Sequence, residues 1–345
     1  MLDRSKSRAT IDDVAKRAQV SISTVSRVLN GLDRVHPATR ERIQAAMVEL
    51  GYQPSALARG LALRRTNTIG LIVPNVTDPF FSEMVRGVEE AAAAAGYNLL
   101  IASQPRYIEE PRYHQLFTQS RVDGLVLVGI NVQPAQLDQL AAQGFPVAVI
   151  QEDLGGAVPT FVADNEGGAR ALAQHLIGHG YRRIAYITGS DYTPDSADRL
   201  RGLRAVLAAH NLTIPDEYIV RGDFLRGSGY TAMQRLLDLP RRPEAVFAAN
   251  DQMAGDALQA IRERSLRVPA DIAVVGFDDT ILASYTSPTL TTVRQPAYAM
   301  GQRAVGAVLA APEDGAPSRR VVLPTALIVR ESCGCSIGRD AERRP

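Results

Sequence analysis

Two cysteines occur in 345 residues, Cys333 and Cys335. Spaced C-x-C with no second cysteine cluster, they make neither a disulfide framework nor a zinc site, and the compartment reads as cytoplasmic. Lysine is equally scarce: Lys6 and Lys16 are the only two. No G-x-x-x-x-G-K-[ST] loop can therefore be built, and G-x-S-x-G, H-E-x-x-H and G-x-G-x-x-G are missing as well. Long hydrophobic runs are also absent. The longest, such as Thr68–Val73 and Gly124–Ile130, have strand length and fall far short of a membrane span. Met1–Ala9 is polar and basic without an apolar centre, so it is no secretory signal. His175 and His179 stand at i, i+4 and could share a metal, but no third ligand adjoins them in the chain. His179-Gly180 reads more simply as a helix end with a glycine cap, so neither a metal nor a cofactor is expected.

What is present divides unevenly along the chain. A length of 345 residues with 46% hydrophobic content predicts two or three globular domains. Residues 1–68 carry 12 Lys and Arg against 6 Asp and Glu, a surplus of +6. The remainder holds 26 against 31, or −5. A basic head on a mildly acidic body is the electrostatic footprint of a nucleic-acid contact confined to one end.

The head patterns as three helices. Thr10-Ile11-Asp12-Asp13 forms a capping box, and Ile11, Val14, Ala15 and Ala18 make an apolar stripe behind it. Ser21 caps a second helix, Ile22–Leu29, with Val25, Val28 and Leu29 inward, and Asn30-Gly31 stops it. Pro37 opens a third helix to Leu50, closed by Gly51, with Ile43, Ala46, Met47 and Leu50 facing the first two. Two short helices about a tight turn with a third behind them make a helix-turn-helix. A plain three-helix core is the rival reading, but the polar start of helix two, Ile22-Ser23-Thr24, has little use in mere packing.

The runs TIDDVAKRAQVSISTVSRVLNG and VHPATRERIQAAMVELGYQPSALARGLA resemble, without gaps to Leu61, the DNA-binding head of the lac-repressor (LacI/GalR) family of bacterial transcription regulators. The resemblance implies that Ile22, Ser23 and Arg27 read base edges, with Arg27 suited to guanine O6 and N7 and Ile22 limited to apolar contact. It further implies that Thr10, Ser21, Thr24, Ser26, Asn30 and Thr39 mostly meet phosphates and set register. Between head and body lies QPSALARGLALRR, Gln53–Arg65. Composition alone leaves it a flexible tether: two helical turns at most, weakened by Gly60. The resemblance implies instead a hinge helix that folds only on DNA. Ser55 and Arg59 would contact the duplex, and Leu61 from each of two subunits would wedge into a minor-groove step.

From Thr68 short apolar strands alternate with amphipathic helices. Strands are expected near Thr68–Val73, Asn98–Ala102, Gly124–Val128, Val147–Ile150, Phe161–Ala163, Ile184–Thr188, Glu217–Arg221, Ala245–Ala248 and Ile272–Phe277. Alternation of this kind predicts doubly wound parallel sheets, here in two similar halves split near Val158–Asp164, with a cleft at the carboxyl ends of the strands. The family resemblance extends over about Thr68 to Arg330 as a periplasmic-binding-protein-like effector domain. It gives cleft roles to Phe81, Arg199, Phe224, Asn250 and Asp278, joined by Phe80 and Gln151 at positions that vary with the ligand. Carboxylates, amides and Arg suit vicinal hydroxyls, and aromatic faces suit the C–H side of a sugar ring. Asp164 and Asp251 read equally well as helix N-caps, and Phe81 as plain core. A purine-responsive member would carry tyrosine at Phe80 and arginine near Thr193, so a sugar or sugar derivative is the expected effector.

The expected fold class is thus an all-α helix-turn-helix head joined by a hinge helix to an α/β periplasmic-binding-protein-like region of two doubly wound parallel-sheet lobes. The expected domains are 1–52 (DNA-binding), 53–66 (hinge), 67–331 (effector binding and dimerisation) and 332–345 (a polar tail). The expected function is a non-enzymatic, sugar-controlled repressor, acting as a homodimer on a pseudo-palindromic DNA operator and remote from any membrane. The alternative is a sugar-binding or sugar-transforming α/β protein whose N-terminal helices serve for assembly.

Overall fold

The computed structural model describes residues 9–29, 35–53, 65–104, 121–129, 134–152, 158–191, 194–310 and 320–335. The hinge-helix positions Ser55, Arg59 and Leu61, and Asn30, lie outside these residues. The chain divides into two compact units, Met1–Asn67 and Thr68–Pro345. None of the described helices is long and apolar enough to cross a membrane.

In the first unit, α1 (Ile11–Ala18), α2 (Ile22–Leu29) and α3 (Pro37–Leu50) close around Val14, Val25 and Ile43, all fully buried. The ends are set locally. The Thr10 hydroxyl accepts from the Asp13 amide at 3.3 Å while the Asp13 carboxylate accepts from the Thr10 amide at 2.9 Å, a complete capping box. Ser21 Oγ accepts from the Thr24 amide at the start of α2. Pro37 opens α3, and Gly51 ends it in a left-handed conformation (φ 59°). Leu29, Met47 and Leu50 are only half-buried, at the rim of this small core.

The second unit holds two parallel sheets. The first runs in the order β11-β5-β4-β3-β1-β2, from β1 (Thr68–Val73), β2 (Asn98–Ser103), β3 (Gly124–Val128), β4 (Val147–Ile150), β5 (Thr160–Ala163) and β11 (Arg320–Leu323). The second runs β7-β6-β8-β9, from β6 (Ile184–Ile187), β7 (Ile219–Val220), β8 (Ala245–Ala248) and β9 (Ala273–Val275). Strands buried on both faces, such as β3 and β8, read as unbroken apolar runs because helices cover both sides. On the first sheet α4 (Pro79–Ala94) lies on one face with α11 (Ala297–Leu309), while α5 (Pro134–Ala142) packs on the other. The second sheet carries α6 (Asn165–Gly178), α7 (Asp195–Ala209), α8 (Ser228–Leu237) and α9 (Asp251–Glu263), with a short α10 (Ile281–Tyr285) beyond β9.

The structure modifies three expectations. The two halves are not simply consecutive: α11 and β11 return to the first lobe, so the chain crosses between lobes three times, at 163–165, 294–297 and 323–326. The expected strand Glu217–Arg221 is instead a 3₁₀ turn, Asp216–Tyr218, followed by the two-residue β7, since Tyr218 turns into the core. The polar tail does not begin at 332. After β12 (Ala326–Ile328), which pairs with β10 (Thr292–Arg294), the 3₁₀ turn Glu331–Cys333 buries both Ser332 and Cys333 completely.

Because Ile43 is fully enclosed in a core of few residues, Ile43→Ala is expected to cost about 2–5 kcal/mol. Scanning calorimetry of the whole chain should show the head's transition lowered and the α/β transition unmoved. A matching drop in both would show that the units melt together.

Candidate functional site

Every strand leading to the cleft delivers a polar or aromatic side chain at its carboxyl end, as open α/β sheets do. Beyond β1 the chain turns through Asn75 to Asp78, whose carboxylate caps α4 by accepting from the Phe80 amide at 2.9 Å. That cap sets Phe80 and Phe81 side by side at the mouth of α4, their rings edge to face at 5.1 Å. Gln151 follows β4, Asp195 and Arg199 sit in the first turns of α7 after β6, Phe224 follows β7, Asn250 follows β8, and Asp278 follows β9. Together they line one cavity of about 480 Å³ between the two lobes. All seven residues expected in the cleft (Phe80, Phe81, Gln151, Arg199, Phe224, Asn250 and Asp278) face it.

Arg199 is the centre of its polar wall. Although charged, it is 2% exposed. Its Nε donates to Asn165 Oδ1 at 2.8 Å and its Nη1 to the Ala249 carbonyl. The guanidinium lies 3.9 Å from the centre of the Phe277 ring and 3.8 Å from Asp278 Oδ1. Buried charge of this kind persists only when paired, which answers why neither Arg199 nor Asp278 is plain core. Burial pushes the Asp278 carboxyl well above the usual carboxylate range, with Arg199 pulling the other way. Gln295 Nε2 donates to Asp278 Oδ1 at 2.7 Å. Asp195 accepts from Asn165 Nδ2 at 3.0 Å and from Gln151 Nε2 at 3.4 Å. That leaves Gln151 Oε1 buried without a hydrogen-bond partner, one of two such side-chain atoms among the described residues. It is a buried acceptor left unanswered on a residue of the cavity wall.

Three of these residues hold backbone conformations that side chains rarely adopt: Gln151 (φ 75°), Phe224 (φ 72°) and Asp278 (φ 118°). Each costs roughly 1–3 kcal/mol unless its surroundings fix it. Asn250 does so for Phe224: its Oδ1 caps α9 by accepting from the Met253 amide, and its Nδ2 donates to the Phe224 carbonyl at 3.1 Å. The Phe224 ring then covers Gly189, where a Cβ would lie 1.9 Å from the ring. Only glycine fits beneath it. For Asp278, the Val293 carbonyl accepts its amide at 2.8 Å, and the neighbouring Asp279 is gripped by Arg294 and Arg330, both at 2.7 Å.

Of the two ambiguous acids, Asp164 is the N-cap of α6, accepting from the Gly167 amide at 2.8 Å. Asp251 is neither cap nor cavity residue: it accepts from the Thr280 amide at 2.8 Å and the Thr292 hydroxyl at 2.6 Å, tying α9 to the chain around β10. Phe81 is both core and cavity wall, 5% exposed. Pro74, Ser103, Leu225 and Gln295 face the cavity as well and were not expected there. Gln295 follows β10, a strand of three residues that leaves too short a pattern to read.

On the first unit, Ile22, Ser23 and Arg27 project from α2 into solvent. Ile22 is 47% exposed, which an apolar residue on a packing helix would not be. Ser21 Oγ lies 2.8 Å from both Ser23 Oγ and Thr24 Oγ1, so the hydroxyls at this helix end form one group. Thr10 is engaged in its capping box, while Ser26 and Thr39 are half-buried.

Residues 10–55 match the family described as bacterial regulatory proteins, lacI family, and residues 173–333 match a periplasmic binding protein-like domain. The ribose operon repressor of Escherichia coli strain K12 is 42% identical over 308 residues, spanning 87% of this chain and 92% of that protein. The chain belongs to the LacI family of bacterial transcriptional regulators. Two solved structures agree with this membership. A lac repressor dimer bound to operator and the anti-inducer ONPF shares 30% identity at a TM-score of 0.83, over 95% of this chain and 99% of that one. A complex of the transcriptional regulator CelR with cellobiose shares 36% identity at a TM-score of 0.71, over 94% and 100%. The relatives include a ribose operon repressor and the transcriptional regulator DegA of Bacillus subtilis rather than enzymes, which removes the sugar-transforming alternative.

One buried acid of this LacI-family fold yields a pH test. Burial pushes the Asp251 carboxyl up to about 7, against the Thr292 and Thr280 donors that favour its charged form. A raised carboxyl binds more protons folded than unfolded, so between its ordinary value of 3.8 and about 7 it makes stability fall as pH rises. Asp251→Asn should flatten that slope in urea melts at pH 4.5, 6 and 7.5. An unchanged slope would place the carboxyl's titration elsewhere.

Proposed function

We propose that this LacI-family regulator is a homodimeric repressor. It recognises a pseudo-palindromic operator through α2 and responds to a sugar bound between its lobes. The observation that carries the ligand class is the cavity wall: a buried Arg199, the Asp195 and Asp278 carboxylates, and the partnerless Gln151 Oε1, faced by the Phe80, Phe81 and Phe224 rings. Charged acceptors and a fork of donors suit vicinal hydroxyls, and the rings suit the apolar face of a pyranose or furanose. The 42% identical relative named a ribose operon repressor puts pentoses first among sugars to test, and the cellobiose-bound relative keeps larger saccharides in the set.

On DNA, Arg27 is the side chain suited to a guanine edge, Ile22 offers only apolar contact, and the hydroxyls of Ser21 and Thr24 suit phosphates. Two copies are required to meet two half-sites, in keeping with the lac repressor relative seen as a dimer. The exposed apolar pair Ile281 and Tyr285 supports association through the second unit. The stretch 53–66 acts as the relay, with Ser55, Arg59 and Leu61 engaging the duplex only when the effector domain sets the right spacing. As a DNA-binding regulator of bacterial type it works in the cytoplasm.

Two measurements test this. An operator is first selected from a random duplex pool with the full-length protein. Binding should weaken steeply and log-linearly with salt, and Arg27→Ala should cost about 1–3 kcal/mol on the selected site with little loss on random duplex. Salt-insensitive binding, or an equal loss on both duplexes, would return the head to an assembly role. For the cleft, thermal-shift screening of pentoses, hexoses and disaccharides should find a stabilising sugar. Gln151→Leu, close to isosteric, should weaken that sugar by about threefold to tenfold, the worth of one hydrogen bond. A variant that binds the sugar as well as wild type would remove Gln151 from the site.

A further inference from the structure

The two histidines and two cysteines set aside separately in the sequence meet in the fold. His175 occupies the last turn of α6 and His179 is its C-cap, so the i, i+4 spacing puts both rings on one face, their centroids 4.7 Å apart. Cys333 ends the 3₁₀ turn after β12, and Cys335 follows it across Gly334, whose left-handed backbone (φ 96°) swings the second sulfur round beside the first. His175 Nε2 lies 3.2 Å from Cys333 Sγ and 3.6 Å from Cys335 Sγ, and His179 Nε2 lies 3.0 Å from Cys335 Sγ. The four ligand atoms all fall within 4.8 Å of one another. The expectation that no third ligand adjoins the histidines therefore fails. The missing pair lies 158 residues away in sequence, beyond the reach of any spacing rule.

We propose that His175, His179, Cys333 and Cys335 form a structural zinc site. Bonds of about 2.0–2.3 Å from zinc to nitrogen and sulfur place tetrahedral ligand atoms about 3.3–3.8 Å apart, a spacing these donors reach once the widest pair, up to 4.8 Å apart, closes by about 1 Å. Two imidazoles and two thiolates suit zinc rather than magnesium or calcium, which take oxygen donors. Four protein donors fill a tetrahedral shell and leave no open position, so the site holds structure and activates no water. The surroundings supply the outer contacts that such ligands need. Thr291, fully buried, donates its hydroxyl to Cys333 Sγ at 3.1 Å, and the Tyr181 hydroxyl donates to the Cys333 carbonyl at 3.1 Å.

The placement indicates what the ion would do. It would pin residues 331–335 to the C-terminal end of α6, whose first residue, Asn165, holds Arg199 at the cavity. Immediately before this segment stands Arg330, one of the two clamps on Asp279 beside the strained Asp278. Zinc would thus brace from behind the second lobe's share of the cleft, a role independent of which ligand the cleft takes.

The full-length protein, purified under reducing conditions without chelator, should contain one zinc per chain by elemental analysis. Cys335→Ser and His179→Asn alter half-buried and exposed positions, so both variants should fold yet lose the metal. Replacing zinc by cobalt(II) in the wild type should give the intense ligand-field bands of a tetrahedral thiolate site, absent from either variant. A strong chelator should lower the wild-type melting temperature by several degrees and leave the variants unmoved. Three results would overturn the site: no retained zinc and no cobalt spectrum, metal retained equally by the variants, or a Cys333–Cys335 disulfide in the reduced preparation. In the first case the contacts are thiol–imidazole hydrogen bonds only.

Discussion

A guanidinium taken out of water constrains the second unit more than any other single group. Arg199 is 2% exposed, so each face and edge of it must be answered. Phe277 lies under the plane, Asn165 and the Ala249 carbonyl take donors, and the Asp278 carboxyl stands 3.8 Å away. Those groups come from three elements: Phe277 and Asp278 from the segment that follows β9, Asn165 from the first turn of α6, and Ala249 from just beyond β8. One side chain thereby fixes the relative placement of three elements of the second sheet. The cavity is the region of this arrangement left open to the other lobe.

Strain is distributed to suit. The left-handed residues Gln151, Phe224 and Asp278 all stand at strand ends on the cavity wall, and local contacts hold each one: the Phe161 carbonyl, the Asn250 amide and the Val293 carbonyl. Such positions project a side chain back over the strand end, which a relaxed turn would send outwards. The cost is met by groups whose own roles are structural, Asn250 as a helix cap being the plainest.

How much of this was legible in the sequence depended on distance along the chain. The head was read almost residue by residue, because capping boxes, apolar stripes and glycine stops act over three or four positions. The strands were read where they are long and apolar, and misread where tertiary packing overrides pattern, as at Glu217–Tyr218. Topology pointed only to the stretches after strands, and the family resemblance singled out Phe81, Arg199, Phe224, Asn250 and Asp278 within them, with Phe80 and Gln151 read from the positions that vary with the ligand. What could not be read lay in returns across the fold. α11 and β11 rejoin the first lobe, Gln295 arrives after a three-residue strand, and Cys333 meets His175 across 158 positions. Contacts of that separation leave no periodic trace in one sequence.

Those same returns bear on how the lobes can move. Three segments cross between them, and near the crossings the packing is close: Thr325 donates to the Asp164 carbonyl at 3.2 Å, and a Cβ on Gly168 would lie 2.5 Å from the Thr325 hydroxyl. Three crossings resist twisting more than a single hinge would. On the cavity side, Gln151 of the first lobe reaches Asp195 of the second through a hydrogen bond of 3.4 Å, long enough to be weak. A ligand donor meeting Gln151 Oε1 while its other groups engage Arg199 and Asp195 would bridge both lobes. A ligand held by both lobes stabilises the closed arrangement by the difference in contacts between closed and open, which is what a switch requires. On the proposed reading, the wall around Arg199 would orient the ligand from one lobe, and the long contact from Gln151 would report from the other that it is there.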